Sequence, residues 1–191
     1  MKHQTGVRRR LWLPLAALLA LAPLGWLATD ALESQNGFCT SCHLDAHTPL
    51  HEGKARDFRS VPAVNLASAH FAHDAEFRCI DCHRGASFAN RVRVKLLAAR
   101  DALAYVAGRF GEPDEMRHPL WREDCVKCHA KYEVARADDF HAVAVHNLPN
   151  FALNCVQCHE AHPTGRSAEL AFLAREPLVA QCRNCHEEFG S

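Results

Sequence analysis

The pattern C-x-x-C-H occurs five times in this chain, as CTSCH at 39–43, CIDCH at 79–83, CVKCH at 125–129, CVQCH at 155–159 and CRNCH at 182–186, and it uses all ten cysteines. A lone C-x-x-C is compatible with a redox dithiol or half a zinc site. The histidine that follows at once in all five cases selects covalent attachment of a c-type haem. Two thiols add across the two vinyl groups of one porphyrin, and the adjoining imidazole reaches the iron from the proximal side. Zinc ribbons or a disulfide framework would leave the five adjoining histidines unexplained. The expected cofactors are therefore five covalently bound haem c groups. They would be attached at Cys39 and Cys42, Cys79 and Cys82, Cys125 and Cys128, Cys155 and Cys158, and Cys182 and Cys185, with His43, His83, His129, His159 and His186 as proximal ligands.

Five macrocycles are a large load for 191 residues. The porphyrins should supply much of the apolar core, so that folding depends on them as small metal-organised domains depend on metal. The charge balance, 22 basic against 22 acidic residues, points to no nucleic-acid partner.

The N-terminus carries Lys2, Arg8, Arg9 and Arg10 with no acid, followed by a run from Leu11 to Ala28 without a charge. That run is just long enough to cross a bilayer, and the basic residues ahead of it hold their end in the cytoplasm. Trp12 and Trp26 stand near its two ends, where indole favours the interface, and Pro14 and Pro23 are tolerable inside a membrane helix. A cleaved signal peptide is the competing reading. It suffers from the length of the apolar run and from Pro23 directly after the best small-x-small site. The expected organisation is a cytoplasmic basic stub at 1–10, a transmembrane anchor at 11–29 and a periplasmic pentahaem domain at 30–191. The expected setting is the inner membrane of a bacterium, crossed once. The first haem motif begins ten residues beyond Thr29 and must lie close to the membrane surface.

Beyond the anchor the expected fold is mostly α with much irregular structure, organised by haem, since no strand pattern, phosphate loop or serine-nucleophile motif is present. The longest helix is expected over 87–109, ended by Gly111 and Pro113, with Val92, Leu96, Ala99, Leu103 and Val106 recurring at helical spacing among arginines. It packs on haem or lies at the lipid interface. A shorter helix is expected over 167–175, stopped by Pro177, and 57–63 reads as irregular around Pro62.

Fourteen histidines exceed what five proximal ligands need. The distal candidates are His162, His70, His73, His118, His141, His146 and His51, with His47 beside them; five places for eight residues leave at least three with other roles. Iron held between two histidines is closed to substrate and suited to electron transfer. His162 lies three residues beyond His159, on the same side of that porphyrin, so it should serve a neighbouring haem.

The basic stub, single span, haem motif close behind it and the Ser68–His70 stretch ahead of CIDCH resemble the NapC/NirT-type membrane-anchored multihaem quinol dehydrogenases, mainly over residues 8–111. The resemblance implies oxidation of membrane quinol and delivery of electrons to a periplasmic redox protein or reductase. It also implies that Lys95 and Asp101 stand at the quinol pocket beside the first haem, as hydrogen-bond partner and proton acceptor. Small members of that family carry four haems, and Asp45 stands where they often have methionine. Two other functions fit the motifs: a tethered electron carrier without a quinol site, and a terminal reductase with one open haem.

Overall fold

A computed structural model describes residues 4–43, 51–111, 119–131, 140–143, 146 and 154–188. His47 and His118, and with them Asp45 and Pro113, lie outside the described residues. Among the described residues the chain is helical with irregular connections and no strand, apart from one bridge between His159 and Leu173. The helices are α1 (Gln4–Glu33), α2 (Asn36–Cys39), α3 (Glu52–Phe58), α4 (Leu66–His73), α5 (Cys79–His83), α6 (Phe88–Val106), α7 (Arg122–Val126), α8 (Cys155–Cys158) and α9 (Arg175–Arg183).

Helix α1 contains the whole uncharged run. Its described side chains are Trp12, Ala16, Ala17 and those from Leu19 onward, a stretch that takes in Asp30 and Glu33. Among the described residues no helix is long and apolar enough to cross a membrane. Leu19, Leu21, Leu24 and Leu27 are all exposed.

The helix expected over 87–109 occupies Phe88–Val106. Ser87 caps its start by accepting from Asn90 N, and it closes before Gly111. Gly108 takes φ 65°, so the amide of Arg109 reaches Ala104 O at 2.8 Å and that of Gly108 reaches Tyr105 O at 2.9 Å. This pair of bonds satisfies the last carbonyls around a left-handed residue, which glycine adopts without steric cost.

The helix expected over 167–175 is not there. Residues 167–174 form turns, with Ala171 and Phe172 at φ 51° and 57°, and α9 begins at Arg175 with Pro177 inside its first turn. Proline is harmless in a first turn because its missing N–H would have no intrahelical acceptor. The segment read as irregular over 57–63 has its first two residues in α3.

Few side chains are buried by protein alone. Among the described residues the buried hydrophobic ones are Phe58, Phe172 and Ala174, and Asn65, Ser68, Arg91 and Asp124 are the buried polar ones. Asn65 and Ser68 form a reciprocal cap at the start of α4. The Asn65 amide then donates to His162 O at 2.9 Å, and Ala67 N donates to Ala161 O at 2.9 Å. A short polar cap thereby ties α4 to a segment far along the chain.

Candidate haem-binding centre

The spacing of C-x-x-C-H has a direct structural consequence. Residues i, i+3 and i+4 share one face of a helix, so both sulfurs and the imidazole project the same way when the motif forms one helical turn. Four motifs do this. The second is helix α5 itself. In the third, fourth and fifth, the histidine amide donates to the carbonyl of the first cysteine at 3.0, 2.8 and 2.8 Å for His129, His159 and His186. The first motif differs: His43 N donates to the Tyr105 hydroxyl at 2.9 Å, which ties that motif to the end of α6.

Each of the four regular motifs places its histidine opposite a second one. Ring centres are 6.1 Å apart for His83 and His162, 5.9 Å for His129 and His70, 6.1 Å for His159 and His141, and 6.4 Å for His186 and His146. Two imidazoles bound on opposite sides of one metal ion, each at about 2 Å, have ring centres about 6 Å apart. Ring planes lie 19° and 28° apart in the pairs containing His83 and His159, and 81° and 78° apart in those containing His129 and His186.

Hydrogen bonds orient several of these rings. His70 Nδ1 meets Leu66 O at 2.8 Å, His146 Nδ1 meets Phe140 O at 3.1 Å, and His159 Nδ1 meets Ala171 O at 3.0 Å. A carbonyl on Nδ1 fixes the tautomer and leaves Nε2 as the ligating nitrogen, a common outer-shell arrangement in metal sites. The left-handed backbone at Ala171 and Phe172 is what turns the Ala171 carbonyl toward His159; strained conformations of this kind collect at functional sites. His83 is pulled down to about 4, chiefly by burial and then by His162, His51 and Lys54, with Asp124 opposing. Burial lowers His162 as well. Both imidazoles are therefore neutral at pH 7, the state a metal binds. His162 Nδ1 is buried with no hydrogen-bond partner among the described residues.

The thiols record which motifs are neighbours. Burial pushes Cys39 up to about 11, with Cys79 of the second motif adding to it. Cys82 rises to about 11, again chiefly through burial, with Lys127 opposing and Cys128 of the third motif among the lesser causes. A hydrogen bond between the thiols of Cys125 and Cys155 raises the first and lowers the second, and Cys158 is raised by burial and then by Cys182. Contacts of α2 with α5, α5 with α7, and α8 with α9 agree. The motifs thus lie side by side in their order along the chain.

Of the remaining candidates, His73 is exposed at the end of α4. His51 takes φ 58° at the start of α3, and its charge bears on His83 and His162. Lys95 is not a solvated helix charge. Its ammonium meets Asp30 at 2.9 Å, Glu33 at 3.1 Å and Thr29 Oγ1 at 2.6 Å, and lies 5.1 Å from the Trp26 ring centre, so all three of its protons have partners on α1. Arg91 pairs with the same two carboxylates. Asp101 lies six residues on, about 240° further round the helix, on the face of Tyr105 and thus of the first motif. Sequence reasoning missed Asn65, Asp30, Glu33 and Arg91. The signal for the first was N-x-x-S at 65–68; for the others it was a pair of acids just past an apolar run.

The four charges on α1 and α6 form a partly buried network, and breaking one arm leaves the others desolvated. Arg91→Ala is expected to destabilise the α1–α6 contact by about 3 kcal/mol, read as a lowered thermal midpoint. Lys95 first and then Arg91 hold Asp30 at about 2 against an ordinary 3.8. A depressed carboxylate stabilises only while ionised, so this part of the contact is complete above about pH 4 and is lost as pH falls toward 2.

Among the described residues no group of three or more His, Cys, Asp or Glu side chains is placed to hold a metal ion by itself. No family model matches the chain, and neither the curated proteins nor the solved structures include a match.

Proposed function

We propose that this chain is a membrane-anchored pentahaem c-type cytochrome that relays electrons from membrane quinol to a periplasmic acceptor or reductase. The observation that carries this reading is the set of four histidine pairs, each with the ring centre of a C-x-x-C-H histidine 5.9–6.4 Å from that of a second imidazole, the separation two ligands of one iron would have. Two protein ligands per site suffice where a porphyrin supplies the other four. The small apolar core supports the same reading.

Bound haem would supply reversible one-electron exchange, with the paired histidines as the residues that would hold the iron at the second to fifth motifs. The protein's part is to tether each group through two cysteines, to set the axial imidazoles and their tautomers, and to line the motifs up from first to fifth. The anchor is assigned to residues 11–29 on the uncharged run and on the exposed leucines of α1. It places 30–191 outside the membrane with the first motif nearest the lipid.

Quinol oxidation rests on the family resemblance and on that placement. Lys95 stands beside Trp26 at the outer end of α1, and a quinol oxygen taking the place of Thr29 Oγ1 would meet its ammonium. Asp101, on the face of Tyr105 and His43, is the proton acceptor on the side of the first motif.

A terminal reductase needs one open iron. Spectroscopy separates the readings. The purified chain should weigh five haems more than its amino acids. Electron paramagnetic resonance should show two kinds of low-spin ferric signal. Near-parallel ring planes at the second and fourth motifs should give rhombic spectra, and near-perpendicular planes at the third and fifth should give highly anisotropic ones. A quinol analogue should reduce the chain in membranes. A bare polypeptide mass would end the proposal, and one high-spin haem that turns over substrate would favour the reductase.

A further inference from the structure

We infer that α6 is a second membrane contact: its outer face rests on the surface of an anionic phospholipid bilayer, beside the point where α1 leaves it. This rests on the reading of the chain as an anchored cytochrome.

The helix is amphipathic in the opposite sense to a soluble surface helix. At about 100° per residue, Phe88, Leu96, Ala99, Leu103 and Val106 fall within an arc of about 80°. Phe88, Leu96, Leu103 and Val106 are 78, 67, 72 and 84% exposed. Val92, at the middle of that arc, is half-buried, while the half-buried Asn90, Val94, Leu97, Asp101 and Tyr105 occupy the diametrically opposite arc, where Tyr105 holds His43. The apolar stripe therefore faces away from the motifs. In a water-soluble protein, a helix turns its apolar arc inward and its polar arc outward.

Two observations identify the occupant as lipid. The stripe is continuous with α1. The rings of Trp26 and Phe88 lie 6.0 Å apart, and Asp30 and Glu33 clamp Arg91 and Lys95 directly beside them. The exposed leucines of α1 and the exposed face of α6 thus meet at one corner. The far border of the stripe carries Arg100, which is exposed, and Arg93, whose guanidinium also lies 5.7 Å from the Trp121 ring centre. An apolar strip edged by arginines matches an acyl boundary edged by phosphates. Such a contact holds the first motif at headgroup depth with two fixed points instead of one.

The test uses the full chain in nanodiscs of phosphatidylethanolamine and phosphatidylglycerol. If all ten cysteines are in thioethers, a single introduced cysteine is the sole reactive thiol. Leu96→Cys, Leu103→Cys and Glu169→Cys are each labelled with a nitroxide. Collisions with oxygen, which concentrates in lipid, are compared with those of a water-soluble nickel complex. The oxygen-to-nickel ratio should be several-fold higher at 96 and 103 than at 169. A ratio at 96 and 103 equal to that at 169 would overturn the lipid contact. Labels shielded from both reagents would overturn it too, by showing that porphyrin or a second copy covers the stripe. Labelling of the unsubstituted chain would instead break the underlying haem reading, since native thiols would then be available.

Discussion

Replacing His162 with alanine is expected to leave the second motif's iron with one axial ligand and to cut quinol-driven reduction of an external acceptor by about 100-fold, the scale on which perturbed ligation acts in metal sites. His162 faces His83 at 6.1 Å. Its backbone is fixed independently of its ring, because Asn65 holds His162 O and Ala161 O accepts from Ala67. The substitution should therefore remove an imidazole without unseating the segment that carries it. Cys79 and Cys82 stay in place, so the mass of the attached groups should not change, while a high-spin absorption feature appears. Added imidazole should restore part of the low-spin spectrum and part of the rate, which a merely structural defect would not allow. An unchanged spectrum with full turnover would show that His162 and His83 do not share an iron.

That residue also shows what the sequence could disclose. The three-residue separation from His159 already argues that His162 serves another motif, because a side chain so close cannot pass round the porphyrin edge. It does not say which motif. That choice depends on a buried asparagine and a cap formed far upstream, and neither has a periodic signature. The proximal histidines are legible for the opposite reason: C-x-x-C-H is a local geometry, closed within one helical turn.

Local reasoning fails at 167–175 for a physical cause. The residues there favour helix, but a helix would withdraw the Ala171 carbonyl from His159 Nδ1 and the Ala174 amide from Cys158 O. Tertiary bonds at the fourth motif override propensity, and the helix starts later, where Pro177 fits its first turn. For α6 the periodicity located the apolar stripe but not the direction it faces. The amphipathic pattern alone is the same for a helix packed on haem and one laid on lipid. Lys95 was legible as a charge and not as a member of a network, since its partners come from α1, more than sixty residues earlier.

A chain secreted without haem attachment is expected to lose nearly all the structure beyond α1 and the α6 helix clamped to it, the largest effect any single change should have. The opposing free energies are unequal. Backbone ordering opposes folding at every residue, by about 1–2 kcal/mol each. Against it the described residues bury only Phe58, Phe172 and Ala174 as apolar side chains. Helices α2, α3, α5, α7 and α8 are each shorter than the length at which an isolated helix is even marginal in water. Asn65 and Ser68 form a sound cap, but a cap contributes about 1 kcal/mol and cannot organise a domain. The facing imidazoles add nothing without an ion between them, and the neutral state to which burial drives His83 costs stability wherever the pH would otherwise protonate it. Far-UV circular dichroism of the haem-free chain in detergent should show little helix beyond what α1 and α6, which α1 and the detergent interface hold, account for. Limited proteolysis should cut between Asn36 and Arg183 within minutes, under conditions that spare the haem-bound form. A haem-free chain that resists protease and keeps the helix content of the native one would mean that the polypeptide closes its own core, and the five cysteine motifs would then need a different explanation.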